Sequence, residues 1–198
     1  MKQKFDIITD TCVPLHLDNV DTDQIIPARF LKATTRDEKF FGENLFRDWR
    51  YRQDGTPDPD FVLNDKRYGG HILVAGKNFG CGSSREHAAW ALAGYGFRAV
   101  ISSYFADIHK NNELNNFVLP VVVSEGFLRE LFSSIEADPA TKVTIDLPSQ
   151  TVTDTATGRS EKFPIDKYKK YCLMNGIDDI DYLLGNKNKI TEYENKIK

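Results

Sequence analysis

The stretch GKNFGCGSSREHA, residues 76–88, places three glycines among two serines, an arginine, a glutamate and a histidine. The apolar run HILVA precedes it, at residues 71–75, and the alanine-rich segment AAWALAGYG follows it. The first run is typical of a buried strand, and the second is typical of a helix. The sequence therefore predicts a glycine-rich turn at which a strand passes into a helix, with polar side chains on the turn.

The segments after this turn predict an α/β fold. RAVISS, at residues 98–103, is another short apolar run, so the strand–helix–strand unit would join two parallel strands. Farther along the chain, the sequence predicts helices in YFADIHKNNELNN and EGFLRELFSSIEAD, with the strand FVLPVVVS between them. An alternating strand, KVTIDL, and a hairpin that turns at residues 157–158 follow.

The two ends of the chain complete the predicted architecture. KFDIITDTCVPL predicts a first strand, and residues 18–70 show little periodicity, so we expect loops and short helices there. Near the C-terminus two short helices would be separated at Gly176, and residues 186–198 predict a frayed helix. We expect a single α/β domain, 1–198, in which parallel and antiparallel strands are mixed.

The composition argues against several classes of function. A formal net charge of −3 implies no uncompensated basic face, which argues against nucleic acid as a partner. No apolar run approaches the roughly 18 residues that a membrane span needs. The cysteines, Cys12, Cys81 and Cys172, are too widely spaced for a disulfide framework or a metal pair, and the four histidines lack ligand spacing. We therefore expect a cytoplasmic protein with no metal bound by this chain.

Two interpretations of the turn are open from its residues alone. In the first, Ser83 and Glu86 form a capping box at the start of the helix, and Arg85 is a solvated residue of the first turn. In the second, the helix N-terminus and the Arg85 guanidinium bind an anion, while the hydroxyls of Ser83 and Ser84 handle a proton. Cys81 is either a thiolate favoured by the helix start or a small residue that fills space.

The segment GKNFGCGSSREHAAWAL, together with NVDTDQIIP upstream and IHKNNELNNFVLPV downstream, resembles the swivelling domain of the aconitase superfamily. Most closely, the chain resembles the small-subunit family of 3-isopropylmalate dehydratases, over most of its length. The resemblance implies an aconitase-like swivelling β/β/α domain with mixed strands. It also implies a hydro-lyase of leucine biosynthesis, which interconverts 2-isopropylmalate and 3-isopropylmalate through 2-isopropylmaleate.

The resemblance further implies roles for individual residues of the turn and of the segment before it. Ser83 would be the base that removes the carbon-bound proton of the substrate. Ser84 and Arg85 would hold a substrate carboxylate. Asp23, in the segment TDQIIP, would support an active-site histidine of the partner subunit.

The loop and extension at residues 28–60 would contact the variable part of the substrate. Arg29, Phe30 and Leu31 lie where the family sets its specificity. Arg36 lies where the superfamily has a second substrate-binding arginine. Phe30 and Leu31 would suit a branched aliphatic group, whereas the two arginines would suit an additional carboxylate. A homoaconitase or methylmalate-type hydro-lyase subunit therefore stays an alternative, and a non-catalytic anion-binding module is an alternative of another class.

The resemblance places the [4Fe-4S] cluster of the family on a separate large subunit, with which this chain would form a heterodimer. Cys12, Cys81 and Cys172 lack the grouping of a cluster-binding set. A serine hydroxyl is also a poor base, because it stays mostly protonated near neutral pH. A neighbouring guanidinium lowers the pKa of an acid by only about one to three units, which is too little to change this. We therefore predict that this chain binds no cofactor, that the complex acts on a small dicarboxylate, and that the isolated chain does not catalyse.

Overall fold

A seven-stranded mixed sheet organises residues 3–32 and 37–197, the part of the chain that this computed structural model describes. The strands lie side by side in the order β4-β3-β2-β1-β5-β6-β7. Their bounds are β1 (Ile7–Leu15), β2 (Ile72–Ala75), β3 (Ala99–Ser102), β4 (Leu119–Val122), β5 (Lys142–Asp146), β6 (Thr151–Asp154) and β7 (Ser160–Lys162).

The first strand divides the sheet into two halves of different direction. On one side β1 pairs in parallel with β2, with Cys12 opposite Ile72, and the parallel pairing continues through β3 and β4. On its other side β1 pairs antiparallel with β5, and β6 and β7 continue as a meander. The predicted mixture of parallel and antiparallel strands is confirmed, as is the hairpin turn at Gly158.

Helices and 3₁₀ helices connect the strands at the predicted places. In the described residues before β2, the chain forms three short α-helices and two 3₁₀ helices, Ala28–Lys32 and Val62–Asn64, as the weak periodicity of that segment predicts. The predicted break near the C-terminus is confirmed, because Gly176 ends α7 in the left-handed conformation. The α-helices are α1 (Thr22–Ile25), α2 (Glu38–Glu43), α3 (Arg47–Arg50), α4 (Glu86–Tyr95), α5 (Asp107–Asn115), α6 (Glu125–Ala137), α7 (Lys167–Asn175), α8 (Asp179–Gly185) and α9 (Lys187–Ile197).

Two apolar cores cover the two faces of the sheet. In β2 the side chains of Ile72 and Val74 enter one core, and those of Leu73 and Ala75 enter the other. Such a strand is buried on both faces, which explains why its sequence is apolar without alternation. The second core also contains Phe41 of α2, whose ring lies 5.3 Å from that of Trp90 on α4, so the extension before β2 packs onto the helix that follows the glycine turn.

The C-terminal helix α9 differs from the buried helices. Its 11 residues, Lys187–Ile197, form a helix in which no residue is buried. Among residues 3–32 and 37–197, no helix has both the length and the apolar character that a membrane crossing requires.

Candidate active site at the glycine turn

The glycine turn lies at the edge of the sheet where the parallel strands end. Residues 76–85 leave the carboxyl end of β2, and the segment that leaves β1 runs beside them, with a parallel bridge between Asp21 and Cys81. A second parallel bridge joins Phe79 to Phe105, in the loop after β3. Loops after three neighbouring strands therefore meet at one edge, which is where open α/β sheets bind their ligands.

Hydrogen bonds to the start of α1 fix the backbone of the turn. The backbone N–H of Thr22 donates to the carbonyl of Cys81 at 2.9 Å, and the buried Thr22 hydroxyl donates to the carbonyl of Ser83 at 2.8 Å. The backbone N–H of Gly80 donates to the carbonyl of Val20 at 2.8 Å. These bonds hold the backbone of Ser83 against α1 and leave its side chain directed away from the fold, because that residue is exposed.

Glycine is required at two positions of the turn. Gly80 has φ = 74° and Gly82 has φ = 86°, in the left-handed region that other residues seldom adopt. A Cβ atom on Gly80 would collide with the imidazole ring of His109, and a Cβ atom on Gly82 would collide with the carboxylate of Asp21. The glycines therefore provide both the turn geometry and the space for two neighbouring side chains.

The predicted capping box at this turn is wrong. Helix α4 begins at Glu86 with Arg85 as the N-cap, and neither Ser83 nor another side chain caps it. The side chain of Glu86 instead accepts a hydrogen bond from Asn116 at 3.2 Å. The bond from Thr22 to the Ser83 carbonyl keeps the chain extended until Arg85, whose φ is −131°, so the helix begins too late for Ser83 to cap it.

The two serine hydroxyls are therefore not used by the helix start. Ser83 and Ser84 are both exposed, and neither hydroxyl has a hydrogen-bond partner among residues 3–32 and 37–197. A capping box does form nearby, at the start of α1, where the Asp21 carboxylate accepts from the N–H of Asp23 at 2.7 Å and the side chain of Gln24 accepts from the N–H of Asp21 at 2.8 Å. The sequence pattern D-x-x-Q at residues 21–24 could have revealed it.

An ion pair joins Arg85 to Asp23. The Nη1 group of Arg85 donates to Oδ1 of Asp23, and the Arg85 side chain retains only 18% of its accessible surface, whereas that of Asp23 retains 46%. In the described part of the chain, neither the other nitrogens of Arg85 nor Oδ2 of Asp23 makes a hydrogen bond. The pair thus orients the guanidinium and leaves one of its edges available, since a guanidinium offers five N–H donors in a fixed plane.

The predicted specificity residues lie on the 3₁₀ helix Ala28–Lys32, which follows α1 closely. The guanidinium of Arg29 binds both carboxylate oxygens of Asp48 on α3, with Nη1 at 2.9 Å from Oδ2. This contact lowers the pKa of the Asp48 carboxyl. The ring of Phe30 packs edge-on against Phe40 with centroids 6.1 Å apart, and Leu31 is half-buried.

The remaining predicted arginine, Arg36, lies outside the described residues. Its proposed contact with substrate therefore rests on the sequence alone.

Cys81 and His87 are poorly suited to reactive roles at this site. Burial, together with the charge of Asp21, raises the pKa of the Cys81 thiol, whose sulfur donates to the carbonyl of Asn19 at 3.2 Å. The expectation of a favoured thiolate is therefore wrong, and the space-filling interpretation agrees with the structure. Burial also lowers the pKa of His87, whose ring lies 4.5 Å from that of Trp90.

The cysteines of this chain do not fit an iron–sulfur cluster. Cys12 and Cys172 are buried, and Cys81 is bonded to the backbone of the loop after β1. Within residues 3–32 and 37–197, no group of three or more His, Cys, Asp or Glu side chains is arranged to hold a metal ion. The donor set needed for a metal or a cluster is thus not found in the described part of the chain.

Sequence reasoning missed two residues that shape the turn. Thr22 ties α1 to the backbone of Ser83, and the only available signal was its position in the segment DTDQ. His109 lies under Gly80, although the sequence predicts only that it belongs to the helix in YFADIHKNNELNN. Both contacts depend on strand order, which the local sequence does not specify.

Comparisons with known proteins agree with this architecture. Residues 2–126 match the family model described as the aconitase C-terminal domain, and residues 129–167 match a second model, LeuD_N. The 3-isopropylmalate dehydratase small subunit of Christiangramia forsetii is 59% identical over 194 residues, which span 98% of this chain and 94% of that relative. The corresponding protein of Cytophaga hutchinsonii is 57% identical over 192 residues, which span 97% and 94% of the two chains.

A solved structure has the same fold. The crystal structure of 3-isopropylmalate dehydratase from Methanocaldococcus jannaschii superposes with a TM-score of 0.66 at 28% identity, and the match covers 94% of this chain and 99% of that one. The fold-class prediction is thereby confirmed. From its sequence, its family models and its fold, this chain belongs to the family of 3-isopropylmalate dehydratase small subunits, within the aconitase superfamily.

Proposed function

We propose that this chain acts with a large subunit to interconvert 2-isopropylmalate and 3-isopropylmalate through 2-isopropylmaleate, in leucine biosynthesis. The observation that carries the proposal is the arrangement at the glycine turn, where the exposed Ser83 hydroxyl lies close in sequence to a guanidinium, Arg85, that Asp23 orients. Family membership supports the same reaction, because the relatives that match nearly the whole chain carry that enzyme's name.

Arg85 and Ser84 bind a substrate carboxylate in this proposal. The Nε and Nη2 groups of Arg85 lie on the edge of the guanidinium that Asp23 does not occupy, and two parallel hydrogen bonds from that edge match a carboxylate. Because the Arg85 side chain is mostly buried, water competes with the ligand less than at an exposed arginine. The exposed Ser84 hydroxyl supplies a further donor beside it.

Ser83 transfers the proton in this proposal. As the alkoxide, it accepts the proton of the carbon adjacent to the bound carboxylate and becomes a hydroxyl, and the electron pair of the broken C–H bond forms the double bond of 2-isopropylmaleate. The hydroxyl group of the neighbouring carbon departs as hydroxide, so the proton and the hydroxide that leave the substrate together make one water molecule. Addition of water in the opposite sense gives the other isomer.

The large subunit supplies what this chain lacks. We propose that the family's [4Fe-4S] cluster lies there, and the arrangement of Cys12, Cys81 and Cys172, which do not form a cluster-binding group, supports this. A cluster of this kind supplies Lewis-acid chemistry for the departing hydroxyl. The two subunits form a heterodimer whose site is shared, and we expect the isolated chain to be inactive. Asp23 can contact a histidine of the large subunit through Oδ2, the oxygen that Arg85 does not use.

The substrate class is inferred from the contacts of the 3₁₀ helix Ala28–Lys32. A further substrate carboxylate would need an available cation, and Arg29 is not one, because both oxygens of Asp48 already bind it. The apolar pair of Phe30 and Phe40 is better suited to an isopropyl group. These contacts favour isopropylmalate over the tricarboxylate substrate of a homoaconitase. Arg29 is already paired with Asp48 and would bind an additional carboxylate poorly.

The remaining assignments extend the same proposal. The chain forms one swivelling domain, 1–198, in which residues 28–60 are the specificity loop and extension and residues 186–198 are a C-terminal tail. We place the complex in the cytoplasm.

Reconstitution tests the proposal. The purified chain is mixed with cluster-loaded large subunit, and 2-isopropylmaleate is followed by its absorbance while isopropylmalates, a homocitrate-type tricarboxylate and a methylmalate are compared. We expect kcat/KM for the isopropylmalates to exceed that for the others by about 100-fold, as a shaped pocket allows. Preference for the tricarboxylate would support the homoaconitase alternative. Calorimetric binding of malate analogues by the chain alone, with no turnover in the mixture, would support a non-catalytic anion-binding module.

A further inference from the structure

A buried pair of ionisable side chains lies directly beneath the glycine turn. His109 and Glu113 are one helical turn apart on α5, and their side chains retain 1% and 0% of their accessible surface. The start of α5 is attached to the turn, because the N–H of Ala106 donates to the carbonyl of Phe79 at 3.1 Å. The pair is therefore fixed in the same structure as the backbone that carries Ser83.

The imidazole of His109 supports the turn by direct contact. Its ring occupies the space that a Cβ atom on Gly80 would need, and its centroid lies 5.5 Å from that of Phe79. Gly80 is the first left-handed glycine of the turn and stands three residues before Ser83. A rotation of the imidazole would therefore remove the support of the backbone at this point.

The carboxyl group of Glu113 lies beside the imidazole. Its Oε1 atom lies 2.9 Å from Nε2 of His109, although the angle at this contact is not that of a good hydrogen bond. In the described part of the chain, the two ring nitrogens of His109 and the two carboxyl oxygens of Glu113 have no other hydrogen-bond partner. The two groups thus depend on each other alone, and burial raises the pKa of the Glu113 carboxyl while His109 opposes that effect.

Packing alone does not account for this pair. Burying two ionisable groups costs free energy, and replacing such a pair by apolar residues of similar volume is often neutral or stabilising. A pair retained at this cost directly beneath the candidate active site points to a role in its geometry. Phe79, whose ring contacts the imidazole, and Leu114, the residue after Glu113, are both buried and apolar.

We propose that His109 and Glu113 are positioning residues for the reaction: Glu113 orients the imidazole, the imidazole holds Gly80 in its left-handed conformation, and the turn thereby places the Ser83 hydroxyl. Neither residue touches the substrate. This inference rests on the proposed function for its kinetic consequence, but its structural consequence is independent of any activity.

The test uses three variants of the full chain reconstituted with the large subunit. Glu113→Leu and the double variant His109→Phe/Glu113→Leu remove the polar contact, whereas Glu113→Gln keeps an amide that can bond the imidazole. We expect the first two to lose at least about tenfold in kcat with KM changed less than about twofold, as for a group that acts only on transition-state geometry. Glu113→Gln should recover most of the wild-type kcat. The double variant should be as stable as the wild type to heating, because replacing a buried ionisable pair by apolar residues is often neutral or stabilising.

Amide hydrogen exchange in the free chain provides a readout that needs no catalysis. The N–H groups of Gly80 and Cys81 both donate to the carbonyl of Val20, and they should exchange at least about tenfold faster in Glu113→Leu and in the double variant, but not in Glu113→Gln. The matched control is Asp154→Asn, which alters another buried acid. Asp154 lies in the antiparallel half of the sheet and accepts a hydrogen bond from Ser134 at 2.6 Å. This variant should leave amide exchange at the turn unchanged.

The outcomes separate this inference from the proposed function. A stable double variant with wild-type exchange at Gly80 and Cys81 overturns the positioning role, whatever the activity. Wild-type kcat in that variant also overturns it. Faster exchange in a chain whose wild-type form supports no turnover would retain the structural role and reject the proposed function instead.

Discussion

Arg85 on the turn after β2 donates a hydrogen bond to Asp23 on the segment after β1, and this ion pair joins the two loops that bear the candidate catalytic groups. The two residues are 62 positions apart in the chain, so the pair exists only because β1 and β2 are parallel neighbours. The pair uses one nitrogen of the guanidinium and one oxygen of the carboxylate. It therefore orients Arg85 without occupying the edge that a substrate carboxylate would bind.

The first prediction concerns Asp23. Asp23→Ala removes the group that orients Arg85, so the KM of the reconstituted enzyme should rise about tenfold, which corresponds to the loss of one charge-assisted hydrogen bond. Asp23→Asn keeps an oxygen that can accept from the guanidinium and should give a smaller rise. Steady-state kinetics of the three enzymes provide the measurement. A fall in kcat at constant KM would instead assign Asp23 to a histidine of the large subunit.

The second prediction concerns Gly82. Gly82→Ala places a side chain in the left-handed region and against the carboxylate of Asp21, so the free energy of unfolding should fall by about 2–4 kcal/mol. Gly158→Ala is the matched control, since Gly158 also has positive φ, 73°, but has open space around it. Urea denaturation measures both.

The difference between these two variants isolates the collision with Asp21. Equal losses of stability would show that the turn adapts to a side chain at residue 82 and that the close approach of Asp21 is not required.

The third prediction concerns substrate choice. Asp48→Ala frees the Arg29 guanidinium, and the complex should then gain activity toward a tricarboxylate substrate, by about tenfold in kcat/KM, while activity toward isopropylmalate falls less. The double variant Arg29→Leu/Asp48→Ala should lose the gain, because the guanidinium that Asp48→Ala frees is then absent. A competition assay with both substrates measures the ratio. An unchanged ratio in Asp48→Ala would exclude Arg29 from substrate recognition.

The fourth prediction concerns the thiol of the turn. Burial and the nearby Asp21 charge raise the pKa of Cys81 above its ordinary value of 9.0, so the thiolate fraction at pH 8 is lower than that of an unperturbed cysteine. Alkylation of the folded chain at Cys81 should be slower than that of a cysteine peptide, and its rate should still be increasing with pH where the peptide's rate has levelled. Mass spectrometry of quenched samples gives both rates. Faster alkylation than in the peptide would contradict the raised pKa.

Local sequence patterns were enough to predict most elements of the fold. The apolar runs at β2, β3 and β4 are buried as their residues indicate, because burial on both faces of a parallel sheet demands such runs. Helix α6 likewise buries its periodic apolar residues. The position of β1 between the parallel and antiparallel halves could not be predicted. Strand order depends on which edges pair in the folded chain, and no local pattern of β1 specifies this.

The sequence identified the residues of the candidate site but not the contacts that these residues make. Ser83, Ser84 and Arg85 share the turn as expected, yet the capping box was wrong because a hydrogen bond from Thr22, 61 residues away, sets the backbone of Ser83. For the same reason the Arg29–Asp48 pair and the position of His109 under Gly80 could not be predicted, since each joins segments that are distant in sequence. Composition and spacing identify reactive side chains, whereas tertiary contacts decide which of them stay available.

The most direct test of the account is the single-turnover rate at which the reconstituted enzyme converts 3-isopropylmalate to 2-isopropylmaleate when Ser83 is replaced by alanine. The account predicts a loss of about 10²–10⁴-fold, the contribution of a general base, with heterodimer formation unchanged. Ser133→Ala, which alters an exposed serine on α6, is the control and should keep the wild-type rate. A Ser83→Ala enzyme that turns over at the wild-type rate would contradict the account, because the proton would then be removed by another group.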